Sequence, residues 1–243
     1  MYLSMLILNP RSHKVRRDMG NCRDLHRTIL SAFPSTAESA GQARLEFGLL
    51  YRVETDARNG RIQLLVQSQL QPDWSHLPKD YLADDFGTLD NPAMKRVDHS
   101  YKSLRIGQRL RFRLHANPTR RISSKCKSER SGGEGKRVEI YQPEKQIEWL
   151  ERKGHQHGFR LISLRTDLDT PNLVIQSEGK VMGRRTPNQP PMKFGSVTFE
   201  GVLEISDLET FVEALAKGIG SGKAYGFGLL SIAPASQTVK QED

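Results

Sequence analysis

Cysteine is nearly absent from this chain: Cys22 and Cys126 are the only two in 243 residues. Two thiols so placed form neither a disulfide framework nor a zinc-ligand spacing, so a reducing compartment is expected. Long apolar runs are missing as well. The N-terminal Met-Tyr-Leu-Ser-Met-Leu-Ile-Leu has no basic region before it and stops at Asn9-Pro10-Arg11, so it reads as a buried strand rather than a signal peptide. No run approaches the roughly 20 apolar residues that span a bilayer. A cytoplasmic protein with no membrane partner is expected.

A nucleotide loop is also lacking, although residues 218 to 234 (GIGSGKAYGFGLLSIAP) look like one at first. A P-loop needs glycine five residues before its Gly-Lys pair, where this chain has Lys217, and Ser or Thr after the lysine, where it has Ala224. Phosphate loops also leave a strand and open a helix. Here a helix pattern (Leu208, Phe211, Val212, Leu215) comes first and a strand-like run from Leu229 to Ile232 follows. A glycine-rich loop in that order, in a basic protein, points toward RNA rather than ATP.

Positive charge, by contrast, is plentiful. The formal net charge is +9 with a pI near 9.7, which makes a polyanion the natural partner. Residues 102 to 137 hold Lys102, Arg105, Arg109, Arg111, Arg113, Arg120, Arg121, Lys125, Lys127, Arg130, Lys136 and Arg137 against only Glu129 and Glu134. The rest of the chain is close to neutral. A hydrophobic fraction of 36% and a mean hydropathy of −0.58 allow one large core or two domains of about 100 to 120 residues each.

The order of elements favours two domains. A strand over 3–8, a basic loop (Arg11, Lys14, Arg16, Arg17), and a helix from Asn21 to Phe33 come first. Strands at 45–53 and 61–70 flank the turn Arg58-Asn59-Gly60, and residues 96–104 return as a fourth strand. A strand over 109–115 and a helix over 143–153 open a second pass. Strands near 159–164, 173–176 and 197–205, a helix over 206–217 and a last strand complete it. The fold class is α+β: two tandem ferredoxin-like (βαββαβ, RRM-like) domains, 1–104 and 105–243, with a C-terminal glycine-rich loop. The loop 123–135, the stretch 184–191 and the tail after Pro234 read as mobile.

Three groups of residues suit chemistry on RNA. In the first helix Asn21 is the N-cap and Asp24 the N3 residue. Cys22, Leu25, Ile29 and Ala32/Phe33 form the apolar stripe, while Arg23, His26, Arg27 and Leu30 take the neighbouring face. A histidine between arginines that lower its pKa suits acid–base work on a phosphodiester. The alternative is a histidine on a solvated basic face. Next, Arg109, Arg111, Arg113 and His115 alternate with Leu110, Phe112 and Leu114, giving a basic ladder able to track phosphates, or else an ordinary half-exposed strand. Then Arg120, Arg121, Lys125, Lys127, Lys136 and Arg137 resemble an arm that orders on nucleic acid. Lys223 and Ser221 in the glycine loop either contact RNA or serve packing. His155 and His157 lack companion ligands, so no metal is expected.

Along nearly its whole length the chain resembles CasE, the CRISPR-RNA-processing endoribonuclease family of type I-E systems. The matching stretches are MYLSMLILNP, LHRTILSAF, LLVQSQLQPDWS, RLRFRLHANPTRR, GKRVEIYQPEKQIEWLERK, VTFEGVLEISD and GIGSGKAYGFGLLSIAP. The resemblance implies cleavage of repeat RNA beside a stem-loop without a metal or other cofactor. It further implies retention of the hairpin and membership, with other subunits, in the Cascade complex. The family's catalytic histidine falls on His26. Some relatives carry a tyrosine three residues earlier, where this chain has Arg23. Arg23 and Arg27 are then expected to steady phosphate charge, and Arg11, Arg16, Arg17, Arg109, Arg111, Arg113, Arg120, Arg121, Lys125, Lys136, Arg137 and Lys223 to bind RNA. A non-catalytic RNA-binding scaffold is the alternative.

Overall fold

The computed structural model describes residues 1–34, 45–56, 58–84, 90–121, 137–162, 172–184 and 188–235. Within them the chain is α+β with two main antiparallel sheets. The first is built from β1 (Tyr2–Leu8), β2 (Leu50–Thr55), β3 (Ile62–Ser68) and β4 (Ala93–Arg96), ordered β2-β3-β1-β4. Two helices, α1 (His13–Gly20) and α2 (Cys22–Leu30), follow β1. Leu25 and Ile29 of α2 pack on Leu6 and Leu8 of β1, Tyr51 of β2 and Leu64 and Val66 of β3, making the first core.

Several details depart from the expectation, among them the second strand, which begins at Leu50 rather than at residue 45. The basic segment after β1 is not a loop but α1, because Lys14 and Asp18 pair at i,i+4 while Val15 is buried against the core. The fourth strand lies over Ala93–Arg96, and residues beyond it form the short helix α3 (Asp98–Lys102). Asp98 in the first turn and Lys102 in the last complement that helix's dipole, and Asp98 also binds the N-terminal amine.

The second sheet contains β5 (Arg109–Ala116), β8 (Phe159–Leu161), β10 (Met192–Ile205) and β11 (Leu230–Pro234), ordered β11-β5-β10-β8. β9 (Leu173–Gly183) pairs with β10 from Met192 to Gly201, while β8 pairs with Leu203–Ile205. Thus β9 runs well past Gln176, its polar half held as a strand by pairing rather than by apolar alternation. A small hairpin joins β6 (Thr119–Arg121) to β7 (Arg137–Glu139). Helices α4 (Pro143–Gln156) and α5 (Leu208–Lys217) supply Trp149, Leu150, Phe211 and Leu215 to a second core with Leu110, Phe112 and Leu114 of β5. Leu104 already packs in this second core.

The sheets are joined by buried polar contacts. Arg52 of β2, only 4% exposed, donates to Leu229 O at 3.2 Å and to Ser231 Oγ at 3.0 Å. Gln67 of β3 donates to Leu215 O at 2.7 Å. Backbone acceptors at the end of α5 and in the glycine-rich segment therefore receive side chains from the first sheet.

Candidate active site and basic groove

The helix carrying His26 begins as the sequence expects. Asn21 Oδ1 accepts from Arg23 N–H at 3.2 Å, and Asn21 Nδ2 donates to Asp24 Oδ2 at 3.0 Å. The capping pair is thus closed side chain to side chain. His26 itself is not on an open basic face: it is 6% exposed, with its ring stacked on Tyr51 at 6.1 Å and 19°. Arg23 is half-buried, and Arg27 is exposed with its guanidinium 3.7 Å from Asp24. Arg17 also approaches Asp24, at 3.6 Å, and Arg16 donates to Arg11 O at 2.9 Å. Helix periodicity alone gives a neighbouring face; only the tertiary fold shows that β2 and the glycine-rich segment lie against this side of α2.

That segment includes a 3₁₀ turn, Lys223–Tyr225, which packs against both α2 and β2. The Tyr51 hydroxyl lies 3.0 Å from Ala224 O and 3.3 Å from Cys22 O. Burial pushes the Tyr51 phenol well above its ordinary range, with Cys22 and Tyr225 adding to it. Burial likewise pushes the Cys22 thiol up to about 11. Both groups hold their protons at neutral pH, and Cys22 is the inert buried thiol its place on the apolar stripe suggests. A cavity of about 380 Å³ opens beside them, lined by Cys22, Tyr51, His115, Lys180 and Tyr225 among others.

Glycines make this packing possible. Gly226 has φ +89°, and a Cβ there would sit 3.2 Å from the Tyr51 ring. Gly218 has φ +74°, and a Cβ there would meet Leu50 at 2.7 Å. The loop therefore packs the two sheets together, and its other side also faces solvent: Gly218, Gly220, Ser221 and Lys223 line a groove of about 680 Å³. Arg120, Arg121, Arg137, Arg152 and Lys153 line the same groove, and among the described residues no carboxylate does. The crowding of cations is felt by its own members. His157 is held below its ordinary value by burial and then by Lys153 and Lys223; Lys153 is lowered by burial and then by Arg152 and Arg137.

Comparison with known proteins gives the family. The family model described as CRISPR associated protein matches residues 1–234. The CRISPR-associated endoribonuclease Cse3 of Thermus thermophilus is 36% identical over 237 residues, covering 96% of this chain and all of that protein. The chain belongs to the Cse3/CasE family of type I-E CRISPR endoribonucleases. The Cascade subunit CasE of Escherichia coli is 28% identical over 236 residues, again 96% of this chain and all of that protein. A solved structure of Cse3 bound to a 19-nucleotide RNA matches with a TM-score of 0.74 at 34% identity, covering 96% of this chain and 100% of that one.

Within this Cse3/CasE-family chain, the residues singled out in the sequence divide into groups. Arg120, Arg121, Arg137 and Lys223 come together in the groove. Lys125 and Lys136 lie outside the described residues. The basic strand is not a free ladder. Arg109 faces Glu204 at 3.3 Å; Arg113 faces Glu200 at 2.8 Å and Glu54 at 2.9 Å. Glu200 and Glu204 stand directly opposite these arginines in the β5–β10 register, whereas Arg111 faces Val202. His115 is buried, 2.6 Å from Ser196 Oγ; burial lowers its pKa against the opposing pull of Glu178. Sequence reading missed Arg152 and Lys153. A signal was present, because Trp149, Arg152, Lys153 and Gln156 share one face of α4 at i, i+3, i+4, i+7. Among the described residues no three His, Cys, Asp or Glu side chains cluster as metal ligands, and no helix is long and apolar enough to cross a membrane.

Proposed function

We propose that this protein is a cytoplasmic endoribonuclease that cleaves CRISPR repeat RNA at the base of its stem-loop and keeps the hairpin product as a subunit of Cascade. One observation carries the reading: a single glycine-rich segment lines the basic groove through Ser221 and Lys223 and, at Ala224, holds Tyr51 against His26. In this reading a phosphate backbone seated in the groove runs on past the 3₁₀ turn to reach the imidazole. A-form RNA hides its base edges in a deep major groove, so recognition leans on phosphates and the shape of the stem. The Thermus relative is named an endoribonuclease, its counterpart is solved with RNA, and the Escherichia coli relative is named a Cascade subunit.

The chemistry in this reading is transesterification. The 2′-oxygen beside the scissile phosphate attacks phosphorus in line, and the P–O5′ bond breaks. His26 takes the 2′-OH proton or gives one to the departing 5′-oxygen. Arg23 and Arg27 balance charge on the non-bridging oxygens, Arg27 by turning from its loose pairing with Asp24. The products are a 2′,3′-cyclic phosphate and a 5′-hydroxyl. The nucleophile comes from the RNA and the proton carrier from the protein, so no metal or cofactor is required. The architecture we assign is two ferredoxin-like domains, 1–104 and 105–243. The orders β4-β1-β3-β2 and β11-β5-β10-β8 support it, since both follow the split βαβ connection.

The test is cleavage of end-labelled repeat RNA in EDTA by wild type and His26→Ala, with binding measured in parallel. Cutting below the stem that disappears in the variant while binding persists is the expected result, and a 2′-deoxy residue at the scissile position should block it. Tight binding with no cutting by wild type would replace this reading with that of a scaffold.

A further inference from the structure

Tyr141 is 68% exposed, yet its hydroxyl is anchored. Its hydroxyl donates to Glu139 Oε2 at 2.5 Å, and Glu139 Oε1 accepts from Gly195 N–H at 2.7 Å. Lys180 Nζ stands 3.5 Å from the same carboxylate and 5.8 Å from the centre of the Tyr141 ring. Burial opposes ionisation of Glu139, but the Tyr141 hydroxyl, the Gly195 N–H and Lys180 together hold its carboxyl below the usual range. The anchor is therefore charged at neutral pH, and the ring loses little freedom when something stacks on it.

The surroundings define what that partner is. A cavity of about 750 Å³ opens beside Tyr141 and reaches Trp149. Lys145 at its edge is paired with Glu148 at 2.6 Å, whereas Arg120 and Arg152 form no ion pair among the described residues. Arg120, Trp149 and Arg152 also line the basic groove, so cavity and groove adjoin. A fixed aromatic face flanked by unpaired guanidinium groups matches a flat base carried on a phosphate chain. A base paired inside the stem has both faces occupied by its neighbours, so the ring suits an unpaired one.

We infer that Tyr141 is a stacking platform for one unpaired base of the bound RNA, with Arg120 and Arg152 holding the adjoining phosphates. The inference rests on the RNA-processing reading above and adds a subsite to it. To test it, 2-aminopurine is placed in turn at each unpaired position of a repeat hairpin carrying single-stranded flanks. Its fluorescence is followed on binding to wild type, Tyr141→Ala and Tyr141→Phe. One position should be quenched by wild type and by Tyr141→Phe but not by Tyr141→Ala. Affinity should fall roughly tenfold in the alanine variant and stay within about threefold in the phenylalanine variant. Wild-type binding with no Tyr141-dependent quenching, or alanine-variant affinity equal to wild type, overturns this subsite alone. Failure of wild type to bind any of the hairpins overturns the RNA-processing reading together with it.

Discussion

Glu54 of the first sheet reaches across to Arg113 of the second at 2.9 Å while also pairing with Arg52 at 2.6 Å. One carboxylate thus neutralises a buried arginine of its own strand and ties it to the other sheet. Burial favours the protonated form of Glu54, but Arg52 and Arg113 reverse that and hold its pKa below the ordinary glutamate value. Glu54→Gln leaves the Arg52 guanidinium, 4% exposed, without its counter-charge, and should cost about 3 kcal/mol. Because the folded pKa is depressed, the contribution is complete above the ordinary glutamate value of about 4.3 and is lost as pH falls through the folded one. Urea unfolding of both proteins from pH 7 down to pH 3 checks this. The difference should hold steady to about pH 5 and shrink below it.

The glycine-rich segment gives a sharper contrast. Gly218→Ala forces a Cβ into a positive φ of +74° and to within 2.7 Å of Leu50 and 2.8 Å of Gly228 O. Left-handed strain and overpacking together should remove about 3 kcal/mol. Gly20, at the end of α1, has nothing within 4 Å of its Cβ position, so Gly20→Ala should stay within about 0.5 kcal/mol of wild type. Paired thermal melts decide it; equal melting temperatures would mean that the loop yields freely to the added methyl.

How far the sequence discloses this arrangement depends on the range of the interaction. The Asn21 cap, the alternation in β5 and the helix-then-strand order around the glycine loop are local patterns, and each takes its expected form. The i,i+4 pair that makes α1 helical was also local, but it was hidden among cations read as a loop. The burial of His26 and the neutralisation of Arg113 by Glu54 were not legible, because Tyr51 and Glu54 belong to a strand brought into place only by the fold. Arg152 and Lys153 fell between these cases: their helical face was readable, but the groove it completes was not.

The groove makes a quantitative claim about salt. If Arg120, Arg121, Arg137, Arg152, Lys153 and Lys223 each meet a phosphate, log K for hairpin RNA against log salt should slope at roughly −4 to −5. Replacing Arg137 and Arg152 together by glutamine should weaken binding to every stem sequence alike and reduce the slope by roughly 1 to 2. Filter binding between low and physiological salt supplies the measurement. A flat dependence in the wild type would remove the groove as the RNA platform.

Asp18 fixes the helix that carries the imidazole. It is fully buried, receives Lys14 Nζ at 2.5 and 2.7 Å, and accepts from the Thr28 hydroxyl at 2.7 Å and the Tyr81 hydroxyl at 3.0 Å. Thr28 follows His26 by two residues, so one carboxylate pins α1, α2 and the Tyr81 segment to each other. Burial and then Asp18 raise the Tyr81 phenol well above its ordinary range, which keeps it a donor at all working pH values. Asp18→Asn preserves the shape but removes the charge these three donors face, and should cost about 2 to 3 kcal/mol. Thr28→Val removes one of the three and should cost about 1 kcal/mol. With α2 loosened, cleavage by Asp18→Asn at saturating protein should slow several-fold while hairpin affinity, set by the groove cations, stays near wild type. Equal stability of Asp18→Asn and wild type in urea would show that the carboxylate's charge has no part in holding α2.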